Sequence, residues 1–255
     1  MTTGSVGVGL AVEPRAVVCL GADLRGSITG TAKKVLSSLR VDPSLVSASR
    51  SLPWGMGYAS SGASAVAAAF LSSAIKGSDL TKALQVAHVV EVTERTGLGD
   101  VLAISCGVGV VLRRSAGAPG IGEVSCAPAP QSVSIVVLEG GPMATQDLLS
   151  SLTEAYYSRS EELVKSLDRE LSFDRFAQLV TEFTDSLELL SGAFSGKVAE
   201  AVKRTPGLIG YYVKKRLIVM LVERDIAHEA ILHSTGKLSL RGRLLEPSPR
   251  GPGLG

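Results

Sequence analysis

A chain of 255 residues with 45% hydrophobic residues and a mean hydropathy of +0.28 can bury one large core or two smaller ones of roughly 100–150 residues each. A formal net charge of +2, with neither sign gathered into a long block, excludes a strong nucleic-acid-binding field. The apolar runs VLAISCGVGVVL and LIVMLV are shorter than the about 18–20 residues of a spanning helix, so no membrane span is expected.

The start, MTTGSVGVGLAVEP, lacks a basic stretch followed by a continuous apolar core, which predicts no secretory signal and a cytoplasmic protein. Short strand-like runs follow one another: VGVGLAVE, RAVVCLGADL and, after a helical pattern in TAKKVLSSL, LVSASRSLP. The segment LPWGMGYASSGASAVAAAF then sets glycine and serine directly before a helix. From Ser60 to about Ile75 that helix is small or apolar apart from its serines, so it is expected to be buried nearly all round. A second helix, Leu80 to Thr93, carries His88 and Glu91 one turn apart on one face. After GLGD come the strand-like GVGVVLRR, a loop SAGAPGIG, and the strands EVSCAP and SVSIVVLE.

From Ala144 to about Thr205 the charge density rises and helical periodicity dominates. A strand LIGYYVKKRLIVMLVE, a helix and a last strand KLSLRGRLLE complete the pattern, with the KKR run read as a solvated strand edge. The class is α+β with two lobes, residues 1–127 and 128–247, and a disordered tail at 248–255. Cys19, Cys106 and Cys126 show no CxxC spacing and are odd in number, which predicts reduced thiols. His228 and His233 are five apart rather than the four that places two rings on one helical face, so HEAILH gives no zinc signature.

The chemistry concentrates around the glycine–serine segment. A helix N-terminus exposes unpaired N–H groups and a partial positive charge, and it attracts phosphate where glycines let the backbone approach. Gly55, Gly57 and Gly62 offer that approach, and Ser60 and Ser61 can cap the helix or bind phosphate oxygens and Mg²⁺. A capped core helix after an ordinary turn explains the same residues equally well.

The run Pro53, three residues, Gly57, Tyr58, Ala59, Ser60, Ser61, Gly62, Ala63 resembles the phosphate-binding motif P-x-x-x-G-L-G-S-S-A-A of the GHMP kinases, with Ala59 in place of glycine and Gly62 in place of alanine. HVVEVTERTGLGDVLAISCGVGVVLRRSAGAPG, residues 88–120, is similar to the archaeal pantoate kinase branch of that family, and with GSVGVGL the likeness spans about residues 4–120. The resemblance implies a two-lobed fold, an N-terminal lobe like domain 2 of ribosomal protein S5 and a ferredoxin-like C-terminal lobe. It also implies transfer of the ATP γ-phosphoryl group to the primary hydroxyl of pantoate, giving 4-phosphopantoate for coenzyme A biosynthesis.

Under that resemblance Gly55, Gly57, Tyr58, Ala59, Ser60, Ser61, Gly62 and Ala63 bind ATP, and Glu91 and Ser61 hold Mg²⁺. Asp100 accepts the proton of the attacking hydroxyl. Arg113, or its neighbour Arg114, grips the pantoate carboxylate, and Arg113 is preferred. The alternatives are local: Asp100 as a helix cap, Glu91 as a solvated helix residue, and one of the two arginines in water because they alternate across a strand. GSVGVGL lies three residues from the start, whereas the family carries a further strand and a histidine-containing turn before it, so an edge strand is expected to be missing or to lie upstream. Other readings are a mevalonate or homoserine kinase and a ligand-binding protein without turnover. A homodimer through the second lobe is a further expectation.

Overall fold

The computed structural model describes residues 3–21, 28–49, 52–236 and 240–254. The end of RAVVCLGADL, the middle of LVSASRSLP and the start of KLSLRGRLLE lie outside these residues. The chain forms two compact units. The first holds Met1–Trp54, Tyr58–Cys126 and Arg250–Gly255, and the second holds Gly55–Gly57 and Ala127–Pro249.

The first unit runs β1 (Gly7–Leu10), β2 (Val12–Glu13), β3 (Val17–Leu20), α1 (Gly30–Ser38), a 3-10 turn Pro43–Leu45, β4 (Val46–Ser49), α2 (Ser60–Lys76), α3 (Leu80–Thr93), α4 (Asp100–Cys106), β5 (Val110–Arg113) and β6 (Val124–Ala127). β1, β5 and β6 form one sheet in that order, and β3 pairs antiparallel with β4. The helices meet through small side chains: Ala32 of α1, Ala65, Ala68 and Ala69 of α2, Ala83 and Ala87 of α3, and Val101 of α4 lie in one buried cluster. Alanine at these positions lets the helix axes approach closely, so α2 is enclosed along most of its length, although its last turn, Ala74–Lys76, is exposed rather than buried as expected. Thr29 caps α1 by accepting from the Ala32 N–H, and Asp79 caps α3 by accepting from the Lys82 N–H.

The second unit runs β7 (Val133–Glu139), α5 (Thr145–Ser151), α6 (Glu154–Arg169), α7 (Phe173–Ser186), α8 (Leu189–Ala193), α9 (Gly196–Lys203), β8 (Leu208–Lys214), β9 (Leu217–Glu223), a 3-10 turn Arg224–Ile226, α10 (Ala227–Gly236) and β10 (Arg241–Pro247). Its strands lie in the order β10-β7-β9-β8, antiparallel throughout, which is the ferredoxin-like arrangement expected of the C-terminal lobe. The near-continuous apolar runs of β7 and β9 reflect burial at almost every position of both strands.

Three expectations differ from the structure. LIGYYVKKRLIVMLVE is a hairpin rather than one strand, because Lys215 takes a left-handed conformation at φ 57° and Lys214 pairs with Leu217 across the turn. Cys106 and Cys126 are disulfide-bonded, with Cα atoms 6.3 Å apart, and Cys19 is the free thiol. The tail expected to be disordered makes definite contacts: Arg15 donates to the carbonyls of Arg250 and Gly251, and Ser248 is buried.

In the second unit the Tyr211 hydroxyl donates to Asp185 Oδ1 at 2.6 Å, and Lys203 pairs with the same oxygen at 2.9 Å. Burial, reinforced by the Asp185 hydrogen bond, pushes the Tyr211 phenol up to about 12, and burial moves Tyr212 in the same direction. A raised folded-state value means that this stabilisation is complete below the unfolded value of 10.0 and is lost as pH climbs through the folded one. Thermal melts are therefore expected to show a midpoint falling with pH above about 10, with a shallower fall in Tyr211→Phe.

Candidate active site

Four segments of the first unit bring polar groups together: the N-terminus of α2, the inner face of α3, the turn into α4, and the facing strands β1 and β5. Glu91 of α3 is fully buried, and its Oε2 accepts the backbone N–H of Val101 at 3.2 Å. The expectation of a solvated helix residue therefore does not describe Glu91. Its carboxylate serves the N-terminal end of α4, where unpaired N–H groups favour an anion.

Asp100 is the first residue of α4. Gly99 is the cap residue and no side chain caps the helix, so the capping alternative for Asp100 is not what the structure shows. Glycines measure how closely the two carboxylates converge. A Cβ at Gly97 would lie 2.5 Å from Glu91 Oε1 and 2.9 Å from Asp100 Oδ2. A Cβ at Gly62 would lie 2.7 Å from Asp100 Cβ and 2.9 Å from Glu91 Oε1. Any larger residue at either position would occupy the space in which the two acids meet the first turn of α2.

The α2 terminus differs from the sequence expectation in one respect. Neither Ser60 nor Ser61 caps it. Ala59 is the cap residue, in the left-handed region at φ 57° and ψ 27°, and makes no side-chain cap bond. A non-glycine residue there costs about 1–2 kcal/mol of backbone strain, which explains why a motif of this kind ordinarily carries glycine at this place. Ser60 Oγ donates to the Pro53 carbonyl, and Ser61 Oγ lies 3.0 Å from Thr31 Oγ1. Ser61 is half-buried, Tyr58 likewise, and the Ala63 N–H bonds back to the Ala59 carbonyl to close the first turn.

Gly55 and Gly57 belong to the second unit rather than the N-terminal lobe in which they were expected. The Gly55 carbonyl accepts from the Met143 N–H, and a Cβ at Gly57 would lie 3.2 Å from Leu217 Cδ1. Packing of the loop against these residues, not local sequence, decides their place.

Arg113 ends β5 half-buried, while Arg114, just past the strand, is exposed. Gly7 is paired with Arg113 across the β1–β5 ladder, and a Cβ there would lie 2.9 Å from Arg113 Nη2. The guanidinium also lies against Gly99, whose Cβ position is 3.0 Å from Arg113 Cζ and 3.0 Å from Ser5 Oγ. Glycine at 7 and 99 thus makes the slot that brings a cation and a hydroxyl next to the Asp100 turn. Ser5 was not singled out from the sequence, and its signal was its place within GSVGVGL. His88, one turn from Glu91 on α3, is 1% exposed with Nε2 2.7 Å from the Thr3 carbonyl. Among the described residues its buried Nδ1 has no hydrogen-bond partner.

The donor set suits a hard cation. Carboxylate oxygens of Glu91 and Asp100 gather within the small volume measured at Gly62 and Gly97, with no soft ligand among them.

Residues 27–108 match the family model described as the GHMP kinases N terminal domain. The chain carries a GHMP kinase N-terminal domain and has the fold of that family. Over 144 residues it is 29% identical to the pantoate kinase of Thermococcus kodakarensis, a match covering 56% of this chain and 47% of that relative. The chain therefore aligns with about half the length of that relative. A solved phosphotransferase related to the coenzyme A biosynthesis pathway superposes with a TM-score of 0.77 at 22% identity, covering 100% of this chain and 90% of the other. The homoserine kinase of Cytophaga hutchinsonii gives 0.67 at 16% identity, covering 98% and 94%. The mevalonate kinase of Methanococcus jannaschii gives 0.60 at 13%, covering 95% and 90%. The GHMP kinase match includes α1 to α4, the elements that carry Ser61, Glu91 and Asp100. No helix among the described residues of this GHMP kinase domain or of the second unit is long and apolar enough to cross a membrane.

Proposed function

We propose that this chain is an ATP- and Mg²⁺-dependent phosphotransferase that phosphorylates the primary hydroxyl of pantoate to 4-phosphopantoate. The observation that carries the reading is the meeting of Glu91 and Asp100 at the first turn of α2, with the Arg113 guanidinium held beside the same Asp100 turn. The 29% identity to a pantoate kinase supports the choice of acceptor.

Phosphoryl transfer demands positioning and charge neutralisation more than covalent chemistry. The unpaired N–H groups at the start of α2 would face the phosphates, and Ser61 and Glu91 would supply oxygen ligands to Mg²⁺. When bound, Mg²⁺ neutralises developing charge on phosphate oxygens. Asp100 would take the proton from the acceptor hydroxyl as that oxygen forms its bond to phosphorus and the bond to the departing ADP oxygen breaks. Arg113, with Ser5 beside it, would hold the pantoate carboxylate, since a guanidinium fork matches a planar anion.

The test is ATP-to-ADP turnover by the purified chain with Mg²⁺ and, in parallel, pantoate, mevalonate and homoserine. Turnover is expected with pantoate alone. Arg113→Ala is expected to raise KM for pantoate by about 10- to 100-fold, the loss of one charge-assisted pairing, and to leave KM for ATP unchanged. Silence with all three acceptors would overturn the kinase reading and leave a ligand-binding protein.

A further inference from the structure

We propose that Arg250–Pro252 form a strap that holds the C-terminal end of α4, with Arg15 as its fastener, and that the strap thereby positions Asp100 at the other end of the same helix. The inference rests on the phosphotransferase reading for the role of Asp100. Every contact that supports it lies within the first unit.

Arg15 commits its whole guanidinium fork. Nη1 donates to the Gly251 carbonyl at 2.8 Å, Nη2 to the Arg250 carbonyl at 2.6 Å, and Nε to Glu13 Oε1 at 2.8 Å. Glu13 fixes the plane of the fork, and the two carbonyls fix the strap. The strap in turn lies backbone to backbone on the last residues of α4. A Cβ at Gly251 would sit 2.7 Å from the Cys106 carbonyl oxygen, and one at Gly107 would sit 3.1 Å from Pro252 Cδ. Gly107 is the left-handed residue that ends α4, at φ 59°, with its N–H on the Ala103 carbonyl.

α4 has seven residues, about two turns and roughly 10 Å of rise. A helix that short does not persist through its own hydrogen bonds. Besides the packing of Val101 in the core cluster, its placement depends on what grips its ends: Glu91 on the Val101 N–H at one end, the strap and the Cys126 bond at the other. A shift at residue 106 is transmitted along two rigid turns to residue 100, where misplacement by about 1 Å is enough to cost a large part of the rate.

Two variants of the full chain test this, Arg15→Ala, which unfastens the strap, and Gly251→Val, which pushes it off Cys106. Both are expected to lower kcat by about tenfold with little change in KM for ATP. Both are also expected to speed amide exchange by about tenfold or more at Ala103 and Gly107, whose N–H groups bond to Gly99 and Ala103, while Ala63 in α2 keeps its protection. Unchanged protection of α4 in both variants would overturn the proposal. So would loosening spread equally over α2 and α4, which is general destabilisation, or loosened α4 with unaltered kcat. A parent chain that turns over none of the acceptors would remove the assigned function alone, because exchange at Ala103 and Gly107 still decides whether the strap holds the helix.

Discussion

Asp100→Asn is expected to lower phosphoryl transfer by about 10²- to 10⁴-fold, the usual contribution of a positioned general base. The substitution is nearly isosteric, so the space measured at Gly62 and Gly97 remains filled as before. Asp100 does not cap α4, and the fold loses at most the favourable interaction of one acid in a first helical turn, about 0.3–1 kcal/mol. Turnover, KM for ATP and the thermal midpoint separate the possibilities. A collapse in kcat with the other two preserved assigns proton acceptance to Asp100. Retained turnover would move that role elsewhere, and a binding protein without turnover would keep its ligand affinity in the variant.

Gly62→Ala is expected to damage the site although it restores the residue common in the family motif. The new methyl would meet Asp100 Cβ at 2.7 Å, Glu91 Oε1 at 2.9 Å and Ile104 Cδ1 at 3.3 Å. Asp100 Cβ is one bond from the backbone of α4 and cannot swing aside, so α2 and α4 must separate. We expect a loss in kcat of about 10²-fold from displaced catalytic groups, and destabilisation of about 1–3 kcal/mol from overpacking. Single-turnover kinetics and denaturant unfolding measure the two effects separately. Wild-type activity in this variant would show that the carboxylates need not approach α2 so closely. The departure from the family pattern at 62 is thus accounted for by close packing, whereas the departure at 59 puts an alanine in a left-handed conformation without an evident gain.

The sequence by itself determined which segments become helices and strands wherever a period or a punctuating residue was strong. The alanine-rich run gave α2, and Asp79 marked the start of α3. The family resemblance carried by the motifs from GSVGVGL to TGLGD implied the two-lobed fold and singled out Ser61, Glu91, Asp100 and Arg113 as candidates. The hairpin at Lys215 was missed because nothing in KKR announces a left-handed residue, and only the pairing of Lys214 with Leu217 reveals the turn.

Tertiary structure alone decided the rest, since the distances that matter join residues far apart in the chain. Whether Glu91 is solvated or buried depends on α4 packing over it, which helical periodicity in α3 cannot report. That Arg113 lies beside the Asp100 turn follows from which face of β5 meets Gly7 and Gly99. A tail rich in proline and glycine reads as disordered because its composition offers no core. Its order comes from one distant arginine whose donors match two backbone carbonyls, and local composition carries no record of such a partner.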